Sequence, residues 1–169
     1  PGLLQTEAYA RQVNTKGYSL APVPPSQIER SVTVRMKRQA LLTQESPLVL
    51  SAVLDEAVLR RRVGDPRIMR DQLNHLLDIA QLRNVSLRVL RLEDEAPILM
   101  NSFVLLRFAR PGATMPDVVY TEHFRATLYF DGEIDTHQYR IVFQRLFEGA
   151  LGEPESLERI DQLVRQIWT

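Results

Sequence analysis

Along residues 7–16 the apolar positions Tyr9, Ala10 and Val13 fall on one side of a helical wheel, and the rest of the segment is polar. Thr6 stands where an N-cap belongs and Gly17 where a helix stops, so the pattern predicts a short amphipathic helix between them. Residues 18–25 read as a proline-stiffened loop. Ser26 with Glu29 three positions on is a capping box. Ile28, Val32, Met36, Ala40 and Leu41 then step by three and four through a helix predicted over 27–44, whose other side carries Arg30, Arg35, Lys37 and Arg38. The period changes at 47–54, an apolar run with little alternation, which predicts a strand covered on both faces. A short helix over 56–63 follows. Asp65-Pro66, an N-cap before a first-turn proline, opens a helix running to about residue 83, with Ile68, Leu73, Leu76, Leu77 and Ala80 on its inner face. Alternation marks a strand at 85–92, and shorter strands are predicted at 102–109, 118–123 and 126–130. Helices at about 136–149 and 156–168 finish the chain, with Trp168 docking the last.

Consecutive strands on short links pair antiparallel. The predicted class is therefore α+β, with a mixed, mainly antiparallel sheet of about five strands packed with about six helices. The 169 residues fit a single domain, 1–169. In the last two helices, Phe143, Leu146, Phe147 and Trp168 are candidates for the core or for a dimer seam.

Charge narrows the function more than size does. Lys+Arg and Asp+Glu number 21 each, so the formal net charge is zero, and a segment gripping nucleic acid needs a basic surplus. The chain has no cysteine, which removes disulfides, zinc-thiolate sites and thiol nucleophiles and fits a cytoplasmic protein. No apolar run is long enough to span a membrane, and no secretory signal opens the chain. No dinucleotide-binding, P-loop, zinc-protease or serine-hydrolase pattern occurs. The histidines, His75, His123 and His137, have no metal-ligand spacing, and His75 reads as a partly buried helix residue with a hydrogen-bond partner. Neither a metal nor a cofactor is called for.

The polar candidates are few. Asp55-Glu56 ends the apolar run, where a carboxylate can point into a cleft at a strand's C-terminal end; equally, Asp55 can cap the helix after it. Arg60, Arg61 and Arg62 point to different sides of that helix. Arg60 lies four residues after Glu56 and can pair with it, or serve in a fork for an anion. Tyr120 and Glu122 share one face of a strand and suit a nucleobase or a sugar hydroxyl. That leaves an NAD-consuming glycosyl transferase acting through Glu122 as the enzyme alternative. Without a nucleophile or base cluster, however, the chain is not read as an enzyme. The candidate ligand site is Leu3, Gln5, Arg35, Arg38, Asp55, Glu56, Arg60, Tyr120 and Glu122.

The ordered series PGLLQTEAYAR, RQALL, VLDEAVLRRRVG, MRDQLNHLLDIA, VSLRVL, FVLLRF and VVYTE resembles the C-terminal domain of unknown function of actinobacterial, Streptomyces-type XRE-family helix-turn-helix transcriptional regulators. The resemblance implies a regulatory domain that senses a small molecule or a partner protein, with the DNA-binding domain missing from this chain, upstream of Pro1. It also implies a small neighbour-encoded partner of the BldB-like kind, making a protein-interaction platform the main alternative. Such regulators read paired half-sites, so a homodimer is expected. Arg62 stands where the family pattern has proline, and this departure is expected to extend the short helix by a turn.

Overall fold

The computed structural model describes residues 1–17, 23–95, 101–108, 115–123 and 126–168. Its elements are α1 (Glu7–Gly17), α2 (Pro25–Gln39), β1 (Leu50–Asp55), α3 (Glu56–Arg60), α4 (Pro66–Ile79), β2 (Val85–Leu90), β3 (Phe103–Leu106), β4 (Val118–Glu122), β5 (Thr127–Phe130), α5 (Glu133–Gly149) and α6 (Glu153–Ile167), with short 3-10 turns at Gly2–Leu4 and Ala40–Leu42. Helices and strands are mixed as expected. The expected loops at 18–25 and 93–101 and the expected turns at 110–117 and near 124–125 fall wholly or partly outside the described residues. The chain divides into two compact units, Pro1–Glu93 with Ala150–Thr169, and Asp94–Gly149.

The single, mainly antiparallel sheet is corrected to two small ones. In the first unit β1 pairs with β2 in parallel, from Leu50 opposite Val85 to Asp55 opposite Leu90. The reason is the connection: α3 and α4 lie between these strands, and a helical crossover returns the chain in the same direction. The rule of short links holds only in the second unit, where β3, β4 and β5 form an antiparallel sheet in that order. Nor is β1 covered on both faces. Ala52 and Leu54 are buried while Ser51 and Asp55 are exposed, the alternation of a half-covered strand.

Local signals explain most boundaries in the first unit. Thr6 Oγ1 accepts from the Tyr9 N–H at 3.3 Å at the start of α1. Asp65 Oδ1 accepts from the Ile68 N–H at 2.9 Å and opens α4 with Pro66. The Ser26–Glu29 capping box does not form. The helix begins two residues earlier at Pro25, with Pro24 as a cap whose side chain makes no cap hydrogen bond, and Glu29 is drawn to Arg11, whose Nε and Nη2 reach it at 2.8 and 2.9 Å. The Arg62 extension also fails. Arg61 is already extended (φ −70°, ψ 119°), because the chain must swing through Gly64 at φ +74° to enter α4.

The core of this unit gathers Leu4, Ala52, Leu54, Leu59, Met69, Leu73, Leu76, Leu87, Val89, Ile160, Leu163 and Trp168. Each fully buried aliphatic contributes about 1.5–3 kcal/mol. Met69 and Gln72 are buried on α4 in addition to the expected Leu73 and Leu76. On β2, the Val89 N–H donates to Ser156 Oγ at 2.9 Å and its carbonyl accepts from the Leu151 N–H at 3.0 Å, which ties the edge of the strand to α6.

In the second unit Tyr139 of α5 packs against Phe103 and Phe130, with ring centroids 4.9 and 5.8 Å away. Cross-strand pairing puts Phe103, Leu105, Val119, Thr121, Leu128 and Phe130 on that face of the sheet, and Val104, Leu106, Val118, Tyr120 and Tyr129 on the other. Arg140 pairs with Asp117 at 2.7 Å. Phe143 and Phe147 stack 5.8 Å apart on α5. Among the described residues, no helix is long and apolar enough to cross a membrane.

Candidate functional site

The opening segment PGLLQT is a latch. Leu4 is buried, and its carbonyl accepts from Gln72 Nε2 at 2.6 Å. The Thr6 N–H donates to Oε1 of the same side chain at 2.8 Å. One buried amide on α4 therefore holds both ends of a backbone turn. From α2, Arg35 Nη1 donates to Gln5 Oε1, and Gln39 Nε2 donates to the Gln5 carbonyl. Gln5 and Arg35 are thus brought together, as the candidate list has them. Leu3 is half-buried beside them in sequence, and Arg38 is exposed on α2.

The segment VLDEAVLRRRVG is a clamp. Asp55 caps α3, its Oδ1 accepting from the Ala57 N–H at 2.7 Å, so this carboxylate acts on the backbone. Glu56 in the first turn has no exposed side-chain surface. Arg60 Nε donates to Glu56 Oε1 at 2.5 Å, and Arg159 of α6 clasps it as a fork, Nη2 to Oε1 at 2.8 Å and Nε to Oε2 at 3.1 Å. Burial opposes the ionised form of Glu56. The hydrogen bonds from Arg159 and Arg60 outweigh it and hold the carboxyl below the ordinary carboxylate range. The Arg159 guanidinium is correspondingly raised, first by its bond to Glu56. The buried Leu59 completes the clamp: its carbonyl accepts from the Trp168 indole N–H at 3.0 Å.

Asp55, Glu56 and Arg60 therefore cluster, but their polar atoms face one another or the backbone. Among the described residues, the Gln5–Arg35 group and the Glu56–Arg60–Arg159 group share no hydrogen-bond partner. Tyr120 and Glu122 stand in the other unit, on the outer face of its sheet, where Tyr120 packs beside Tyr129 at a centroid distance of 6.1 Å.

An open hollow of about 180 Å³ lies where β2 ends and α6 begins, lined by Arg91 and Glu93 and by Glu155, Glu158, Arg159 and Gln162. Arg159 joins it to the clamp: one edge of its guanidinium holds Glu56, and the side chain keeps 22% of its surface. This is the C-terminal end of a parallel strand pair, where sheets covered by helices ordinarily take ligands. Sequence reasoning expected Asp55 or Glu56 to line a cleft at a strand end, but none of the nine candidate residues lines this hollow, and the α6 residues were missed. The repeats Glu155/Arg159 and Glu158/Gln162, each four apart, mark one polar stripe on that helix. Nothing local ties that stripe to Glu56, which lies 103 positions before Arg159.

His75 is half-buried on α4, and burial lowers its pKa against the pull of Asp78. The hydrogen-bond partner expected for it is not found at Nε2, which is buried and unpaired. Among the described residues, no group of three or more His, Cys, Asp or Glu side chains is placed to hold a metal ion.

Neither a curated protein nor a solved structure matches the chain. A family model described as a domain of unknown function, DUF5753, matches residues 1–162, and the chain belongs to that family.

Proposed function

We propose that this chain is the effector-sensing domain of an XRE-type helix-turn-helix regulator, receiving its signal in the hollow between the end of β2 and α6. The observation that carries the reading is Arg159: a cation lining an open cleft and held in a fixed geometry by a fully buried carboxylate. Rigid, partly exposed arginines suit the recognition of a charged effector. An effector alters DNA affinity only if it binds two conformations of the regulator differently. The Glu56–Arg159 contact provides a route, because anything that draws on Arg159 also loads α3 and the end of β1. Native mass spectrometry of the intact regulator, purified from its own cells, tests this. The wild type is expected to carry a companion mass that Gln162→Phe, which fills the hollow, loses, and a bare chain in the wild type would overturn the proposal.

The outer face of the three-stranded sheet favours a second reading, a platform for a small neighbour-encoded partner of the BldB-like kind. Tyr129 is 69% exposed and Leu106 38% exposed there, and exposed tyrosines are common anchors of interfaces. Tyr129→Ser is then expected to abolish co-purification of that partner, and unchanged co-purification would remove this reading.

A further inference from the structure

We infer that the hollow beside α6 binds a basic α-amino acid of the lysine or ornithine type; the inference rests on the sensing role proposed above and names its ligand class. Size is the first constraint. About 180 Å³ is the liquid volume of roughly six waters, well under the ~300 Å³ at which drug-sized pockets begin. The hollow is open, so this volume bounds the group it seats, about the size of a single amino acid, and not everything that can extend from it.

Charge is the second. Arg159 uses Nε and Nη2 on Glu56, and Arg91 pairs with Glu93 at 3.4 Å. The Nη1 edge of Arg159 makes one long contact, 3.5 Å to Gln162 Oε1 in the same lining, and retains donor capacity. A ligand carboxylate is matched to that edge by a charge-assisted hydrogen bond. Glu155 and Glu158 take part in neither arginine pairing; Glu158 accepts from the neutral Gln162 amide at 3.4 Å. Once the internal pairs are matched, the lining offers one guanidinium edge and two carboxylates. The complementary molecule has one carboxylate and two ammonium groups, which is a basic amino acid with net charge +1.

Calorimetry and thermal melting on the full chain test this with L-lysine and L-ornithine at millimolar concentration. Three relatives each lack one group: cadaverine the carboxylate, 6-aminohexanoate the α-ammonium, L-norleucine the side-chain ammonium. Lysine or ornithine is expected to bind and raise the melting temperature, with each relative about 10- to 100-fold weaker. Glu158→Gln should weaken lysine by a similar factor, with the emission of Trp168 unchanged as a check on folding. Equal binding by all the probes, or by none, overturns the inference. If none binds yet the regulator from its own cells still carries a companion lost in Gln162→Phe, the ligand class fails and the sensing role stands. If no companion is found either, both fail.

Discussion

At the junction of β1 and α3 a carboxylate with no exposed side-chain surface is gripped by two arginines, one of them from the far end of the sequence. On the outer face of the β3–β4–β5 sheet a tyrosine stands 69% exposed. The first region carries the most specific motif in the chain and directs its polar groups inward; the second carries a short, weakly patterned strand and presents its side chains to solvent. The contrast shows what the motif records. VLDEAVLRRRVG and PGLLQT describe how the first unit is fastened: a capped helix, a buried ion pair and an amide latch. They constrain the fold strongly and the ligand weakly, because a side chain that holds its own backbone has little capacity left for anything else.

Glu56→Ala should separate the two regions most sharply. Removing it empties a buried site, but Arg60 and Arg159 keep 39% and 22% of their side-chain surface and can be hydrated, so the expected loss is about 2–3 kcal/mol. Trp168, the only tryptophan of the chain, lies against α3 through Leu59, so its fluorescence during urea unfolding reports on this unit. A loss under about 1 kcal/mol, the value of an exposed pair, would mean that the clamp does not hold the corner.

Acid should act on the same group. The pKa of Glu56 is lowered in the folded state, so the stability it contributes is fully present above the ordinary carboxylate value of 4.5 and disappears as pH falls through its lower folded value. The urea midpoint followed by Trp168 should drop in that window in the wild type. In Glu56→Gln the drop should be smaller; equal drops would show that other carboxylates carry the acid response.

Gly64→Ala is expected to cost less, about 1–2 kcal/mol for a left-handed backbone. The residue sits at φ +74°, and a Cβ there would lie 2.8 Å from Ile68 Cδ1. An unchanged unfolding midpoint would show that this turn relaxes freely. At the bottom of the range, Tyr129→Ser should shift stability by no more than about 0.5 kcal/mol. A larger loss would mean that the outer sheet face is structural and that the contrast is overdrawn.

Legibility followed the range of each interaction. Thr6, Asp55 and Asp65 were readable as caps because the groups they bind are two or three residues away. Arg60 was readable as a partner of Glu56 from its four-residue spacing. The second arginine was not, since no spacing rule reaches from Glu56 to Arg159. Gln72 was missed for a related reason. A polar residue on the inner face of α4 breaks the apolar pattern, and only the arrival of Leu4 and Thr6 explains it. Ser26 and Glu29 fit a local rule that tertiary structure overrode, because Arg11 offered Glu29 a charged partner. The parallel pairing of β1 with β2 follows from the helical crossover between them, to which the rule of short links does not apply.

The Gln72 amide imitates a neighbouring peptide unit, giving a proton to Leu4 and taking one from Thr6 as the next strand of a sheet would. The imitation depends on one nitrogen. Exchanged for the isosteric glutamate, the same shape would set oxygen against the Leu4 carbonyl and turn attraction into repulsion. A change of one atom type inside α4 would therefore be felt along the whole opening turn, from Leu4 to Thr6.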